Sequence, residues 1–117
     1  MNIKEKIEDL IKLMLSGKQM DAFEKYYHED VVMQENSKPP MVGKSANRER
    51  EIQGMQMIET FHGAEVKAVA VGDNVTMVEW AFDVTYKGAT RMKMCQVAVQ
   101  KWKDGQIIHE RFYYSTN

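Results

Sequence analysis

At 117 residues, with 44% hydrophobic and 28% charged side chains, the chain (1-117) holds one domain with one core, far from disordered compositions. A formal charge of −1, with acids and bases interleaved throughout, excludes the basic stripe that phosphate backbones require, so no nucleic acid partner is expected. A single cysteine, Cys95, excludes an internal disulfide, and no apolar run is long enough for a bilayer span or a signal h-region, so no membrane contact and a soluble cytoplasmic protein are expected.

Ile3, Ile7, Leu10, Ile11 and Met14 recur at helical spacing, with Lys4–Glu8 and Glu5–Asp9 opposite, and Gly17 supplies a left-handed stop. A second, short helix places Met20, Phe23 and Tyr27 on one stripe. Val31-Val32-Met33-Gln34-Glu35 is β-branched and short, which predicts a strand. Asn36-Ser37-Lys38-Pro39-Pro40 has loop composition. Ser45 can cap a third helix, whose stripe is Ile52, Met55, Ile58 or Glu59, and His62, with Gly63 as its stop.

From Glu65 onward the period becomes two. Val66, Ala68 and Ala70 alternate towards the turn Gly72-Asp73-Asn74. Val75 to Tyr86 is a long strand with Val78, Trp80, Phe82 and Val84 on one face. Lys87-Gly88-Ala89 turns into a strand from Thr90 to Trp102, and Lys103-Asp104-Gly105 into one from Ile107 to Tyr114, because Asp-Gly is a strong hairpin signal. Three helices, then an antiparallel meander, with the short strand of the helical half joining a sheet edge, is an α+β plan: helices on one side of a curved antiparallel sheet.

One register is open. Three-residue hairpin loops put Met94, Gln96, Ala98 and Gln100 on the face of Trp80 and Glu110, whereas two-residue loops put Cys95, Val97 and Val99 there.

Strand parity sets Glu35 beside Val31 and Met33, and Glu110 beside Ile108, Phe112 and Tyr114. An acid on an apolar face without a partner keeps its proton to higher pH, as general acid–base work near neutrality requires. The competing reading is a buried acid paired with Arg, Tyr or a backbone N–H. Tyr27, Trp80, Phe82, Phe112 and Tyr114 serve as core and pocket wall together, and the ten methionines, Met33 among them, give soft packing. His28, His62 and His109 show no ligand spacing, so no metal is expected, and His62 at a helix end would offset the dipole. Cys95 reads as a small buried hydrophobe or an interface residue. Arg48-Glu49-Arg50-Glu51 reads as a solvated helix face, with the rim of a pocket mouth as the less favoured alternative. Met77, Ala81, His109, Arg111 and Tyr113 form an outer sheet face too apolar to be left wholly to water.

The order helix–helix–strand–helix–four strands is similar to that of the nuclear transport factor 2-like superfamily. Three pieces resemble its SnoaL-like branch: Asp21 to Met33 as second helix and first strand, Pro40 to Ser45 ahead of the third helix, and Trp102 to Ile108 with Glu110 to Tyr114 as the final hairpin. The resemblance implies a cystatin-like α+β roll with a cone-shaped pocket, pairing as a homodimer through the outer sheet face, and it favours the three-residue loops. Steroid isomerases of this superfamily use a carboxylate base after the first strand, where Glu35 stands; their helix-one tyrosine has no counterpart, and their late-strand aspartate falls near Val97 or Ala98. The histidine and aspartate of SnoaL-like cyclases fall at Glu110 and Phe112. The expected site is a pocket for a small apolar ligand, with Tyr27, Met33, Trp80, Phe82, Gln96, Phe112 and Tyr114 lining it and no cofactor. If the chain is catalytic, it would move protons in isomerisation, cyclisation or dehydration of a carbonyl compound, with Glu35 as base and Glu110 as acid or orienting group. The alternative is a non-catalytic dimeric ligand-binding or association module.

Overall fold

Asn2 starts the first helix by a reciprocal cap: its side chain accepts from the Glu5 backbone N–H at 2.9 Å, and the Glu5 carboxylate accepts from the Asn2 N–H at 3.2 Å. The computed structural model describes residues 1–116. Its elements run α1 (Ile3–Leu15), α2 (Gln19–Tyr26), β1 (Tyr27–Glu35), β2 (Met41–Val42), α3 (Lys44–Gln56), β3 (Ile58–Gly72), β4 (Val75–Tyr86), β5 (Met92–Lys103) and β6 (Gln106–Tyr114). Gly17, at φ 76°, ends the first helical stretch in the left-handed region.

The strands form one open sheet in the order β2-β1-β6-β5-β4-β3. The meander β3 to β6 is antiparallel, as expected, but β1 runs parallel to β6, so the sheet is mixed. The long path from β1 through β2, α3 and the meander supplies the crossover that a parallel junction needs. The helices lie on one side. Their buried stripe, Ile7 and Leu10 of α1 with Ala22, Phe23 and Tyr26 of α2, meets Val78, Trp80, Ala98, Trp102 and Ile107 of the sheet.

The boundaries around α2 and α3 differ most from the sequence expectation. Tyr27 is not the last residue of the α2 stripe; it opens β1, where it remains buried. α3 starts from Gly43 rather than Ser45 and stops at Gln56. Ile58 to His62 therefore lie on β3, and the bulge spanning Phe61 to Gly63 takes the place of a helix stop. Pairing of Ile58 with Tyr86 and of Phe61 with Val84 outweighs a helical spacing carried by few residues. His62 consequently offsets no helix dipole, and its Nε2 lies 2.8 Å from Thr85 Oγ1.

The inner-face register is the one with Gln96 opposite Trp80 and Gln100 opposite Glu110. Neither hairpin has a three-residue loop: the first reaches this register through the longer stretch from Lys87 to Arg91, with Val84 and Met92 as the last pair. In the second, Asp104 (φ 53°) and Gly105 (φ 80°) make a two-residue turn between Lys103 and Gln106, with both central residues left-handed. A bulge compensates: Lys101 pairs with His109 and Trp102 with Ile107, leaving Ile108 as the extra residue. Ile107, fully buried, thus faces inward with Glu110, in place of Ile108. Cys95 lies opposite Ala81 on the outer face and is exposed, not buried.

Asn47 fastens α3 to the sheet. Its buried amide nitrogen lies within hydrogen-bonding distance of the carbonyls of Val31 (3.3 Å), Met41 (3.0 Å) and Gly43 (2.8 Å). Among the described residues, no helix is long and apolar enough to cross a membrane.

Candidate functional site

Between the helices and the curved face of the sheet lies a cavity of about 520 Å³. Its walls are apolar and aromatic. Trp80 stacks on Phe82 at 5.3 Å between ring centroids, and Phe23 stacks on Tyr27 at 4.8 Å. Met14 and Met20 from the first two helices, with Met55, Met57 and Phe61 from the α3–β3 corner, complete the lining. Met55, Met57 and Phe61 are exposed, which places the mouth at that corner.

Glu110 stands in this wall, only 3% exposed. The Tyr27 hydroxyl donates to its Oε1, and Gln100 Nε2 donates to its Oε2 at 2.7 Å. Behind Gln100 the polar chain continues: Thr76 Oγ1 donates to Gln100 Oε1 at 2.7 Å, and Trp102 Nε1 donates to Thr76 Oγ1 at 2.9 Å. Burial pushes the Glu110 carboxyl up to about 7, against the pull of the two hydrogen bonds, and the nearby Glu51 charge adds to the rise while Arg50 opposes it. The Tyr27 phenol is raised well above its ordinary value, by burial first and then by the charge and hydrogen bond of Glu110.

Of the residues singled out from sequence, Glu35, Glu110, Tyr27, Met33, Trp80, Phe82, Gln96 and Phe112 all border the cavity. Met33 pairs with Glu110 and Glu35 with Phe112, so the two acids stand one inward step apart across the β1–β6 junction. Their environments differ from expectation: Glu110, not Glu35, is the deeply buried acid, because Glu35 ends its strand and remains half-buried. Tyr114 is the exception to the lining. It lies outside the cavity wall, its phenol pushed up by burial and then by Glu35.

For Arg50 and Glu51 the sequence favoured a solvated face, with the rim of a pocket mouth as the less favoured alternative; both border the cavity. The Glu51 carboxyl is raised, by burial first and with a further push from Glu35, while Arg50 opposes the rise. The signal was present in the spacing Asn47, Arg50, Glu51, Gly54, one helical stripe whose polar residues disguise an inward face. Among the described residues no group of three or more His, Cys, Asp or Glu side chains is arranged to hold a metal ion.

An open α+β sheet enclosing an apolar cavity, with a buried hydrogen-bonded acid in its wall, defines a pocket-type fold. The sequence profile of the SnoaL-like domain matches residues 1–114, and the chain belongs to that family, within the nuclear transport factor 2-like superfamily. It is similar to the crystal structure of a candidate SnoaL-like polyketide cyclase from Mesorhizobium loti, at 32% identity and TM-score 0.87, over 97% of this chain and 100% of that one. A second candidate SnoaL-like polyketide cyclase, from Jannaschia sp. CCS1, shares the fold at 14% identity and TM-score 0.83, over 96% of this chain and 86% of that one. A protein of ketosteroid isomerase-like fold from Catenulispora acidiphila, solved with trimethylamine, shares it at 16% identity and TM-score 0.78, over 94% and 85% of the two chains. No curated protein matches the chain.

Proposed function

We propose that this protein binds a small, largely apolar carbonyl compound in the cavity and moves a proton on it without a cofactor, with Glu110 as the proton-transfer group. The observation that supports this most is the position of Glu110: a buried carboxyl poised at about 7, in the wall of an apolar cavity. A base whose conjugate acid titrates near the working pH is present in both forms and can take and return a proton in one cycle. Burial also strengthens every dipole directed at the reacting atoms. Glu35, given the role of base from sequence, becomes a second acid nearer the strand end. Glu110 takes the α-proton and returns it to the product carbon in an isomerisation, to the new alkoxide oxygen in an aldol-type cyclisation, or to the departing hydroxyl, which leaves as water, in a dehydration. The candidate cyclase from Mesorhizobium loti supports the same substrate class.

The test is deuterium exchange into the α-position of a simple apolar ketone, followed by NMR with parent and Glu110→Gln protein. The parent should accelerate exchange, and the variant should lose at least about 100-fold of that acceleration. Equal rates in both would overturn the proposal. One observation favours a second reading, a non-catalytic ligand-binding module: both Glu110 oxygens already accept hydrogen bonds from the protein. That reading expects binding without exchange.

For assembly we propose a cytoplasmic homodimer, paired through the outer sheet face. Met77 and Tyr113 are each 44% exposed there, and Val97 and Val99 point the same way. An isologous pair would cover these residues. Sedimentation at micromolar concentration should give twice the monomer mass; a clean monomer would remove the idea.

A further inference from the structure

We infer that Trp102, Thr76 and Gln100 form a one-way hydrogen-bond chain that fixes which oxygen of Glu110 exchanges protons, with Gln100 as the positioning residue. The inference rests on the reading of Glu110 as the proton-transfer group and adds how its proton is placed. An indole N–H can only donate, so Trp102 Nε1 obliges Thr76 Oγ1 to accept. Thr76 has a single hydroxyl hydrogen, which it gives to Gln100 Oε1. The Gln100 amide is thereby oriented, carbonyl towards Thr76 and Nε2 towards Glu110 Oε2. Every link is buried: Thr76 at 0% exposure, Gln100 at 1% and Trp102 at 5%, so water does not compete for these groups.

The consequence falls on Glu110. Its Oε2 is held by a donor, so a proton settles on Oε1, beside the Tyr27 hydroxyl. The protonated Oε1 then donates to the Tyr27 oxygen, and the phenolic hydrogen is released towards the cavity. Proton traffic is confined to the Tyr27 side, which borders the ligand space. The charged or titratable groups bearing on Glu110 are Tyr27 from β1 and Glu51 and Arg50 from α3; Glu35 acts on it through Glu51. β5 and β4 contribute the neutral Gln100 and Thr76.

Titration of the glutamate side-chain carboxyls by carbon-13 NMR, on the ligand-free protein, reads this directly. Thr76→Val keeps the shape but removes the hydroxyl, so the Gln100 amide can turn its oxygen to Oε2 and accept a proton placed there. The Glu110 midpoint should rise by about one pH unit, roughly tenfold in proton affinity. Thr76→Ser should leave it unchanged, and Trp102→Phe, which lets the chain run either way, should raise it by less. An unchanged midpoint in folded Thr76→Val, or a Thr76→Ser shift as large, would overturn the inference. Should Thr76→Val fail to fold, Trp102→Phe decides, and an unchanged midpoint there overturns it. A purely structural role would lower stability without moving the midpoint. Because no ligand is present, the outcome is separate from whether ketone exchange occurs.

Discussion

Glu110→Gln is expected to match the parent protein in stability near pH 4 and to exceed it near pH 8 by about 3 kcal/mol. Burial raises the folded-state value of Glu110 to about 7 from an ordinary 4.5, so the native state prefers the proton. That preference contributes its full stabilisation below the unfolded value and loses it as pH rises through the folded one. Above that window the native protein carries a buried, ionised carboxylate at a cost set by the difference between the two values. Glutamine reproduces the protonated form: its oxygen accepts from Gln100 Nε2, and its NH₂ donates to the Tyr27 oxygen. It carries no charge to bury at any pH. Urea midpoints of both proteins across this range measure the difference, in which other groups largely cancel. A variant less stable than the parent near pH 8 would mean that the carboxylate is ionised and paired, a structural acid rather than a poised one.

Trp80→Ala should be the most damaging single truncation in the cavity wall, costing about 3–5 kcal/mol. The ring is 3% exposed, stacks on Phe82 and lies over the pairing positions of Gln96 and Val66. Its removal takes away the transfer energy of the indole and leaves a void that the sheet cannot close. Against a total stability of about 5–15 kcal/mol for a small domain, that is a large fraction. Trp80→Phe keeps the stacking partner and should lose markedly less. Thermal and urea unfolding measure both. A loss below about 1 kcal/mol for the alanine variant would show that the ring contributes little packing to the core.

The parts of the fold legible in sequence are those where one physical pattern dominates. β4 coincides with the predicted Val75 to Tyr86 because its alternation runs unbroken between two turn signals. The α3–β3 corner was not legible, since Ile58 and His62 continue the spacing of Ile52 and Met55 while the strand partner, β4, lies far along the chain. The final hairpin shows two local features cancelling: a shorter turn and the Ile108 bulge together restore the inner face that longer loops alone would have given. At the candidate site, strand parity located Glu35 and Glu110 beside one cavity. It could not rank them, because depth depends on what α3 and Tyr27 lay over each acid. Glu51 stayed hidden for the converse reason: a charged residue on a polar helix reads as solvated until the helix is docked.

The central claim concerns one proton, and it is tested most directly by the carbon-13 titration of the Glu110 carboxyl in the parent protein, assigned by its disappearance in Glu110→Gln. The midpoint should fall near 7, inverted from the usual order in which a hydrogen-bonded glutamate ionises early. A midpoint at or below the ordinary 4.5 would contradict it, leaving Glu110 an ionised partner of Tyr27 and Gln100.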